Sequence, residues 1–256
     1  MKKTLITRAL PWLIVLATVV LWGLVCWAFR IPSFVLPGPI EVAGALMKYP
    51  KAVFVNAGYT LFTTLMGFAI AVVFGVALGV VVGSSRVVYD ALYPIMIAFN
   101  SIPKVAIVPV LVIWFGIGTI PAVITAFALS FFPIVVNIAT GLATIEPEIL
   151  DVLRVLGARK RQILMKIGLP RAMPYFFASL KVSITLAFVG SVVAETAASN
   201  HGIGYLMIAA SARFDVALVF AGLVVIAAMG ISLYECFAFL ERRVTFWASR
   251  DNGIVS

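Results

Sequence analysis

The chain is poor in charged residues, cysteine and histidine. Charged residues make up 11% of its 256 residues, and hydrophobic residues make up 63%. A soluble domain carries about 25% charged residues, so this composition predicts an integral membrane protein. Cys26 and Cys236 lie far apart in apolar runs, which favours free buried thiols over a disulfide or a metal site. The single histidine, His201, has no metal-ligating residues near it in the sequence.

Sequence motifs for catalysis and for nucleotide binding are also absent. The chain has no Gly-x4-Gly-Lys-Ser/Thr loop, no His-Glu-x2-His and no Gly-x-Ser-x-Gly, so we predict that it is not an enzyme and does not bind ATP through a P-loop. No metal or other cofactor is expected in this chain. The net charge of +9 comes from basic residues in loops and does not indicate a nucleic-acid partner.

Six apolar stretches are long enough to cross ~30 Å of hydrocarbon, which takes ~20 helical residues. We therefore predict an all-α polytopic membrane protein with residues 1–256 forming one transmembrane domain in the lipid bilayer. The predicted spans lie near residues 9–29, 59–83, 89–114, 120–142, 175–198 and 216–240. The first is predicted to be uncleaved, because its apolar run is longer than a signal core and no Ala-x-Ala site follows it.

Two predictions concern the segments outside these spans. A short surface helix is expected at Glu41 to Met47, and residues 199–215 are expected to form an outer loop.

Inside the second span, Gly67, Gly75, Gly79 and Gly83 recur at near four-residue spacing. Small residues on one face favour a packing seam with another helix, although a helix that merely tolerates glycine is the alternative.

The third span is interrupted by Asn100, Ser101, Pro103 and Lys104, and these residues are candidates for the lining or gate of a pathway. Proline kinks a helix, and a charge inside the membrane is costly. Glu195 is the second charged residue at membrane depth. We consider three possibilities: Lys104 and Glu195 pair at an outer gate, each extends separately to the outer surface, or Lys104 meets an anionic substrate.

The long polar stretch DVLRVLGARKRQILMKIGLP, from Asp151 to Pro170, cannot lie in hydrocarbon. Its apolar spacing predicts a short helix that ends at Gly157. A second short helix should begin near Arg159 and stop at Pro170. The basic rim suits an acidic or nucleotide-handling partner, and the apolar face suits a groove in that partner.

This stretch resembles the cytoplasmic "EAA" loop of bacterial ABC-importer permeases. The match is in the spacing: Gly157 is followed by nine residues and then Ile167, and after one more residue by Leu169 and Pro170. The first three residues of the stretch, Asp151, Val152 and Leu153, differ from the family's Glu-Ala-Ala. The resemblance implies that residues 143–174 form a coupling loop that docks on an ATPase subunit. The implied docking residues are Asp151, Leu153, Gly157, Ala158, Arg159, Ile163, Ile167, Leu169 and Pro170. An amphipathic loop without a partner is the alternative.

Three further stretches, residues 36–46, 101–118 and 192–207, resemble the taurine, nitrate and sulfonate branch of these permeases. The resemblance implies a binding-protein-dependent importer of a small solute, such as a sulfonate, nitrate, an aromatic acid or a pyrimidine vitamin precursor. The implied partners are two ATPase subunits that hold ATP and Mg, a second permease copy and a periplasmic or surface substrate-binding protein. An ion-coupled secondary transporter and a membrane-embedded enzyme are the alternatives.

The distribution of basic residues predicts the orientation in the bacterial inner membrane. With the amino terminus inside, only Arg30, Lys48, Lys51 and Arg213 lie outside, and Lys104 lies within a span. The other 14 of the 19 basic residues then face the cytoplasm, as the positive-inside rule requires. Both termini and the polar stretch are therefore expected on the cytoplasmic side.

Overall fold

The computed structural model describes residues 2–143, 152, 153 and 155–245. Every regular element within these residues is helical, which confirms the all-α prediction. In chain order they are α1 Lys2–Ala28, α2 Pro39–Lys48, α3 Pro50–Gly83, α4 Arg86–Ser101, a 3₁₀ turn Lys104–Ile107, α5 Val108–Phe115, α6 Thr119–Ala143, α7 Lys160–Ile163, a π turn Leu164–Gly168, α8 Leu169–Ala198, α9 Ile203–Ser211 and α10 Val216–Val244.

Four helices among the described residues are long and apolar enough to cross a membrane: α3, α6, α10, and α8 together with its π turn. The third predicted span is instead a pair of helices bent by 70° at a break, and counting the pair as one span gives five. The first predicted span forms a helix, but its apolar part, Leu13–Ala28, is shorter than the ~20 residues of a full crossing. The predicted count of six is therefore not reached in the described residues.

One predicted helix boundary was wrong, and proline has a part in two helix starts. Helix α3 contains the predicted second span, residues 59–83, and extends back to Pro50, because proline is well tolerated in a first helical turn. Pro170 does not stop the helix that precedes it, since the chain stays helical from Lys160 to Ala198. The π turn directs the Leu169 N–H to the Leu164 carbonyl, so Pro170, which lacks an N–H, falls in the first turn of α8.

Helix α6 is the centre of the bundle and packs between α3 and α8. A Cβ added to Gly75 would lie 2.9 Å from Ile134, and one added to Gly79 would lie 2.8 Å from Ile138. On the opposite side of α6, a Cβ on Gly190 of α8 would lie 2.9 Å from the Thr125 carbonyl oxygen. All three positions require glycine. This confirms the predicted seam on α3 and shows a second close contact, between α6 and α8.

A second apolar cluster joins α2, α9 and α10 at one end of the bundle. Ile203, Ala221, Val42 and Leu218 are all buried in it. The segment 199–215 is thus not only a loop as predicted, because α9 forms within it and packs against α10. Ile203–Ser211 is apolar along most of its length, so folding back onto the bundle removes it from water.

Helix α1 lies at the periphery of the described fold. Its apolar side chains are largely exposed. Near its carboxyl end, Trp22 packs against Phe220 of α10 with ring centroids 6.0 Å apart. An apolar helix that buries so little of its surface within the protein is suited to contact with lipid.

Candidate functional site

The break between α4 and α5 begins at residues that cannot continue a helix. Ile102 has an extended backbone (φ −69°, ψ 126°), as steric contact with a following proline favours. Pro103 is also extended (φ −64°, ψ 97°) and has no N–H to donate. The backbone leaves the α4 direction at this point and restarts in the 3₁₀ turn that leads into α5.

An open pocket of about 430 Å³ lies beside this break. Residues 100–105 form one wall, and Leu129, Phe132 and Pro133 of α6 with Leu186 of α8 form the other. Four of the five predicted pathway residues, Asn100, Ser101, Pro103 and Lys104, therefore meet at one place. We call this the helix-break pocket.

The side chain of Lys104 folds back onto the last turn of α4. Its Nζ donates to the Asn100 carbonyl oxygen at 2.8 Å and to Asn100 Oδ1 at 2.7 Å. A cation near the carboxyl end of a helix stabilises the carbonyl groups that the helix leaves unpaired. The positive charge is therefore fixed at the rim of the helix-break pocket.

Glu195, the fifth candidate, occupies a different place. It is 1% exposed and lies where α3, α8 and α9 meet. Its carboxyl oxygens accept hydrogen bonds from the hydroxyls of Thr60 at 2.8 Å, Thr63 at 3.3 Å and Ser191 at 3.5 Å. The Gly204 N–H donates to it as well, at 3.2 Å. The carboxyl group thus ties three helices together in a site without water access.

The start of α9 is shaped to fit against this carboxyl group. A Cβ on Gly202 would collide with the Glu195 carboxyl atoms, and Gly202 has φ 103°, which favours glycine. Its N–H donates to Asn56 Oδ1 at 2.8 Å, and the Ile203 N–H donates to Thr60 Oγ1 at 2.9 Å. Side chains of α3 and α8 therefore satisfy the N–H groups that a helix start leaves unpaired.

The sequence reasoning missed Asn56, Thr60 and Thr63 as partners of this site. Thr60, Thr63 and Thr64 stand at i, i+3 and i+4 in an otherwise apolar helix, and all three are buried. Hydroxyls on one face of a membrane helix indicate a polar partner on a neighbouring helix. The spacing of these threonines could therefore have indicated, from the sequence alone, that α3 has a polar partner here.

The structure does not pair Lys104 with Glu195. Each has separate partners, and among residues 2–143, 152, 153 and 155–245 no ion pair joins them. Glu195 also does not extend to the surface, because its carboxyl group is enclosed by hydroxyl groups of α3 and α8. The expected gate pair is therefore replaced by two distinct sites.

The predicted glycine cap in the polar stretch is confirmed. Gly157 has φ 80°, and the Ala158 N–H donates to the Leu153 carbonyl at 2.9 Å, which is the six-to-one bond of a Schellman cap. The next helix starts as predicted, where the Arg159 N–H donates to Gln162 Oε1 at 2.8 Å. We call residues 152, 153 and 155–167 the elbow. Asp151 lies outside the described residues.

The elbow exposes large apolar side chains at its tip. Val155 is 87% exposed and Leu156 76%. Ile163, by contrast, is 8% exposed and supports the elbow from within. An open pocket of about 310 Å³ lies inside the bend, lined by residues 153, 156–158, 162, 163, 166 and 167.

The other predicted coupling residues lie next to the elbow. Leu169 and Pro170 line a neighbouring open pocket of about 420 Å³ together with Met165, Met173 and Val244. Val244 is the last residue of α10. The elbow and the carboxyl end of α10 are therefore at the same end of the bundle.

Comparison with known proteins identifies the family. Residues 71–246 match the family described as "Binding-protein-dependent transport system inner membrane component". The chain belongs to this family. It is therefore a multi-pass inner-membrane permease of an ABC importer, and it is a non-catalytic component. Membership implies an ATPase partner and a binding-protein partner. It confirms the predicted class and decides against a secondary transporter and a membrane-embedded enzyme.

Relatives match the permease over nearly its whole length. A probable ABC transporter permease protein of Haemophilus influenzae is 30% identical over 91% of this chain and 95% of its own. The formylaminopyrimidine transport permease protein ThiX of Halalkalibacterium halodurans is 29% identical over 94% and 96%. The taurine transport system permease protein TauC of Escherichia coli is 27% identical over 94% and 90%.

A solved structure shows the same fold. The MetNI methionine ABC transporter, in an inward-facing conformation, contains a chain that matches with a TM-score of 0.64 at 18% sequence identity. The match covers 73% of the permease and 93% of that chain.

Proposed function

We propose that the elbow is the surface of the permease that docks on the ATPase subunit. The observation that carries the proposal is the exposure of Val155 and Leu156 within a stretch too polar to lie in the bilayer. Exposed apolar residues rimmed by polar ones are typical of an interaction site. Arg159 and Lys166 provide that rim.

Gly157 gives the elbow the rigidity that force transfer needs. Its positive φ and the Schellman bond of Ala158 fix the angle between the two arms. The second arm continues through the π turn into α8 without a helical break. A push on the elbow therefore reaches α8, and through it α6 and α3, as a rigid-body movement.

The elbow lies on the cytoplasmic side in this proposal, together with both termini. It shares one end of the bundle with the last residue of α10, and Arg242 and Arg243 lie in the last turn of that helix. Basic residues at this end agree with the positive-inside rule.

Two copies of the permease would enclose the translocation pathway. The helix-break pocket opens on the surface of the single chain, next to α5, whose Ile113 and Trp114 are exposed. Covering this face with a second copy buries the apolar residues and turns the pocket into part of an enclosed cavity. Two ATPase subunits would serve the dimer and hold ATP and Mg, while the permease itself holds no cofactor.

The proposed transport cycle is alternating access. ATP draws the two ATPase subunits together, the elbows follow, and the helices rock to face outward. The binding protein then releases its solute into the cavity, and hydrolysis restores the inward-facing form. Relatives named for taurine and formylaminopyrimidine transport support a small solute, with selection made largely by the binding protein.

The test is co-purification of the ATPase with a permease that carries Leu156→Asp. A desolvated apolar anchor contributes about 2 kcal/mol or more to an interface, so ATPase binding should fall roughly thirtyfold. Met47→Asp is the matched control, since Met47 is 79% exposed but lies on α2, which packs against α9 and the amino end of α10, at the end of the bundle opposite the elbow. Full ATPase binding by Leu156→Asp, or equal loss in both variants, would refute the docking proposal.

A further inference from the structure

We propose that the helix-break pocket binds the negatively charged group of a transported organic anion through Lys104 and Asn100. The inference rests on the proposal that this pocket lines the pathway, and it adds the chemical class of the solute. It depends on three features of the pocket: the hydrogen-bond donors of Lys104 and Asn100, the absence of an acidic side chain from the lining, and the apolar walls.

The side chains of Lys104 and Asn100 present hydrogen-bond donors at the rim. An ammonium has three protons and no acceptor. Two protons of Lys104 are directed to Asn100 O and Oδ1, which leaves one for a ligand. Because Oδ1 of Asn100 is occupied by Lys104, the side chain offers its amide N–H₂ group. Together they present a cation and a neutral donor side by side, an arrangement suited to an anion.

The pocket has no acidic side chain in its lining. Within the part of the chain that the structure describes, Lys104 also has no carboxylate partner, because the ion pairs there join Lys181 with Glu241 and Arg242 with Glu235. Glu195, the other charge at membrane depth, is held by its own donors. Lys104 is held by neutral oxygen acceptors at the carboxyl end of α4, and an anionic solute would add a full counter-charge to a cation that is costly at this depth.

The remaining walls indicate what the anion is attached to. Leu129, Phe132 and Leu186 face the pocket from α6 and α8. Its volume of about 430 Å³ lies in the range of small-molecule sites. A bare inorganic anion would leave these apolar walls unused. The pocket therefore favours a carboxylate or sulfonate that carries a small aliphatic or aromatic body.

The experiment uses the complete permease–ATPase complex in nanodiscs of neutral phosphatidylcholine. Fluorine NMR would measure the binding of fluorobenzenesulfonate and fluorobenzoate at millimolar concentration, with neutral fluorobenzenesulfonamide as the uncharged analogue. Phosphatidylglycerol in a second set of nanodiscs tests whether an anionic lipid headgroup takes the same place. The variants are Lys104→Met, Lys104→Arg and Asn100→Ala, with Lys51→Met as the control because Lys51 is exposed at the start of α3.

Loss of a charge-assisted hydrogen bond should weaken binding of the anions about tenfold or more in Lys104→Met. Lys104→Arg should keep most of the affinity, Asn100→Ala should lower it, and Lys51→Met should not change it. The sulfonamide should bind weakly and equally to all variants. Equal anion binding by Lys104→Met and the wild type, equal binding of the sulfonamide, or full displacement by phosphatidylglycerol would overturn the inference.

The same samples separate this inference from the proposed function. The amount of ATPase retained by the wild-type permease is measured alongside the binding of the probes. If the ATPase is retained and the anions bind independently of Lys104, the anion site fails and the docking proposal stands. If the ATPase is not retained, the docking proposal fails whatever the probes do.

Discussion

Gly75→Leu is expected to destabilise the permease by about 3 kcal/mol or more, because inserting bulk into a packed core costs that order of free energy. A Cβ at this position would lie 2.9 Å from both Cβ and Cγ2 of Ile134. Ile134 is completely buried in the centre of α6, and its Cβ can move aside only if the α6 backbone moves. The thermal unfolding midpoint in detergent, followed by size-exclusion chromatography, should fall by at least about 5 °C.

Gly58→Leu on the same helix is the matched control. A Cβ at Gly58 would have no heavy atom within 4 Å, so its replacement should leave stability unchanged or raise it by up to about 1 kcal/mol through helix propensity. If both variants unfold at the wild-type temperature, α3 and α6 do not pack through a glycine seam.

Glu195→Ala is the second change with a large expected effect. It removes the carboxyl acceptor of the Gly204 N–H and of the Thr60, Thr63 and Ser191 hydroxyls, and it empties a buried site. The Thr60 and Thr63 hydroxyls still reach carbonyl oxygens of their own helix, at 3.2 Å and 3.0 Å, whereas the Gly204 N–H loses the acceptor that holds it. An unsatisfied buried donor costs about 1–3 kcal/mol and truncation of a buried side chain about 2–5 kcal/mol, so we expect a loss of at least about 3 kcal/mol. Hydrogen exchange at the Gly204 amide should also accelerate, because this N–H loses its acceptor on α8.

Two companion variants make this prediction specific. Glu195→Gln keeps an acceptor oxygen and the shape of the side chain, so it should retain more than half of the stability that Glu195→Ala loses. Glu235→Ala removes an exposed partner of Arg242 and should cost less than about 1 kcal/mol. A stable Glu195→Ala variant with slow exchange at Gly204 would mean that the carboxyl group does not hold α9 in place.

Features that depend on the backbone of a single residue could be predicted from the sequence. Gly157 ended its helix as expected, since it adopts a positive φ that other residues avoid. Pro103 broke the third span for an equally local reason. The glycine seam on α3 followed from spacing alone, because residues four apart share a face of a helix whatever it packs against.

Features that depend on which helices meet could not be predicted in this way. Membrane depth suggested that Lys104 and Glu195 are neighbours, but depth does not say which way a side chain points around its helix. Thr60, the closest partner of Glu195, lies 135 residues away in the sequence. Helix α9 was missed because nine residues are too few to be recognised as a span, and its stability comes from tertiary packing.

The structure places three sites along the bundle. The elbow lies at one end, the helix-break pocket lies between α4, α6 and α8, and the Glu195 site joins α9 to α3 and α8. Helix α8 contributes to all three, since it continues from the elbow, provides Leu186 to the pocket and carries Glu195. Movement of this one helix would therefore couple docking at the elbow to changes at the pocket and at α9.

Cysteine crosslinking between the elbow and the ATPase subunit tests the central claim most directly. The background variant replaces Cys26 and the exposed Cys236 with serine, and Leu156→Cys provides a thiol at the tip of the elbow. We predict that a short bifunctional thiol reagent links this position to the ATPase, with a yield that changes on ATP binding, while Met47→Cys on α2, at the opposite end of the bundle, gives no link. If Leu156→Cys never links to the ATPase, or if a membrane-impermeant thiol reagent labels it from outside intact cells, the elbow does not receive force from the ATPase.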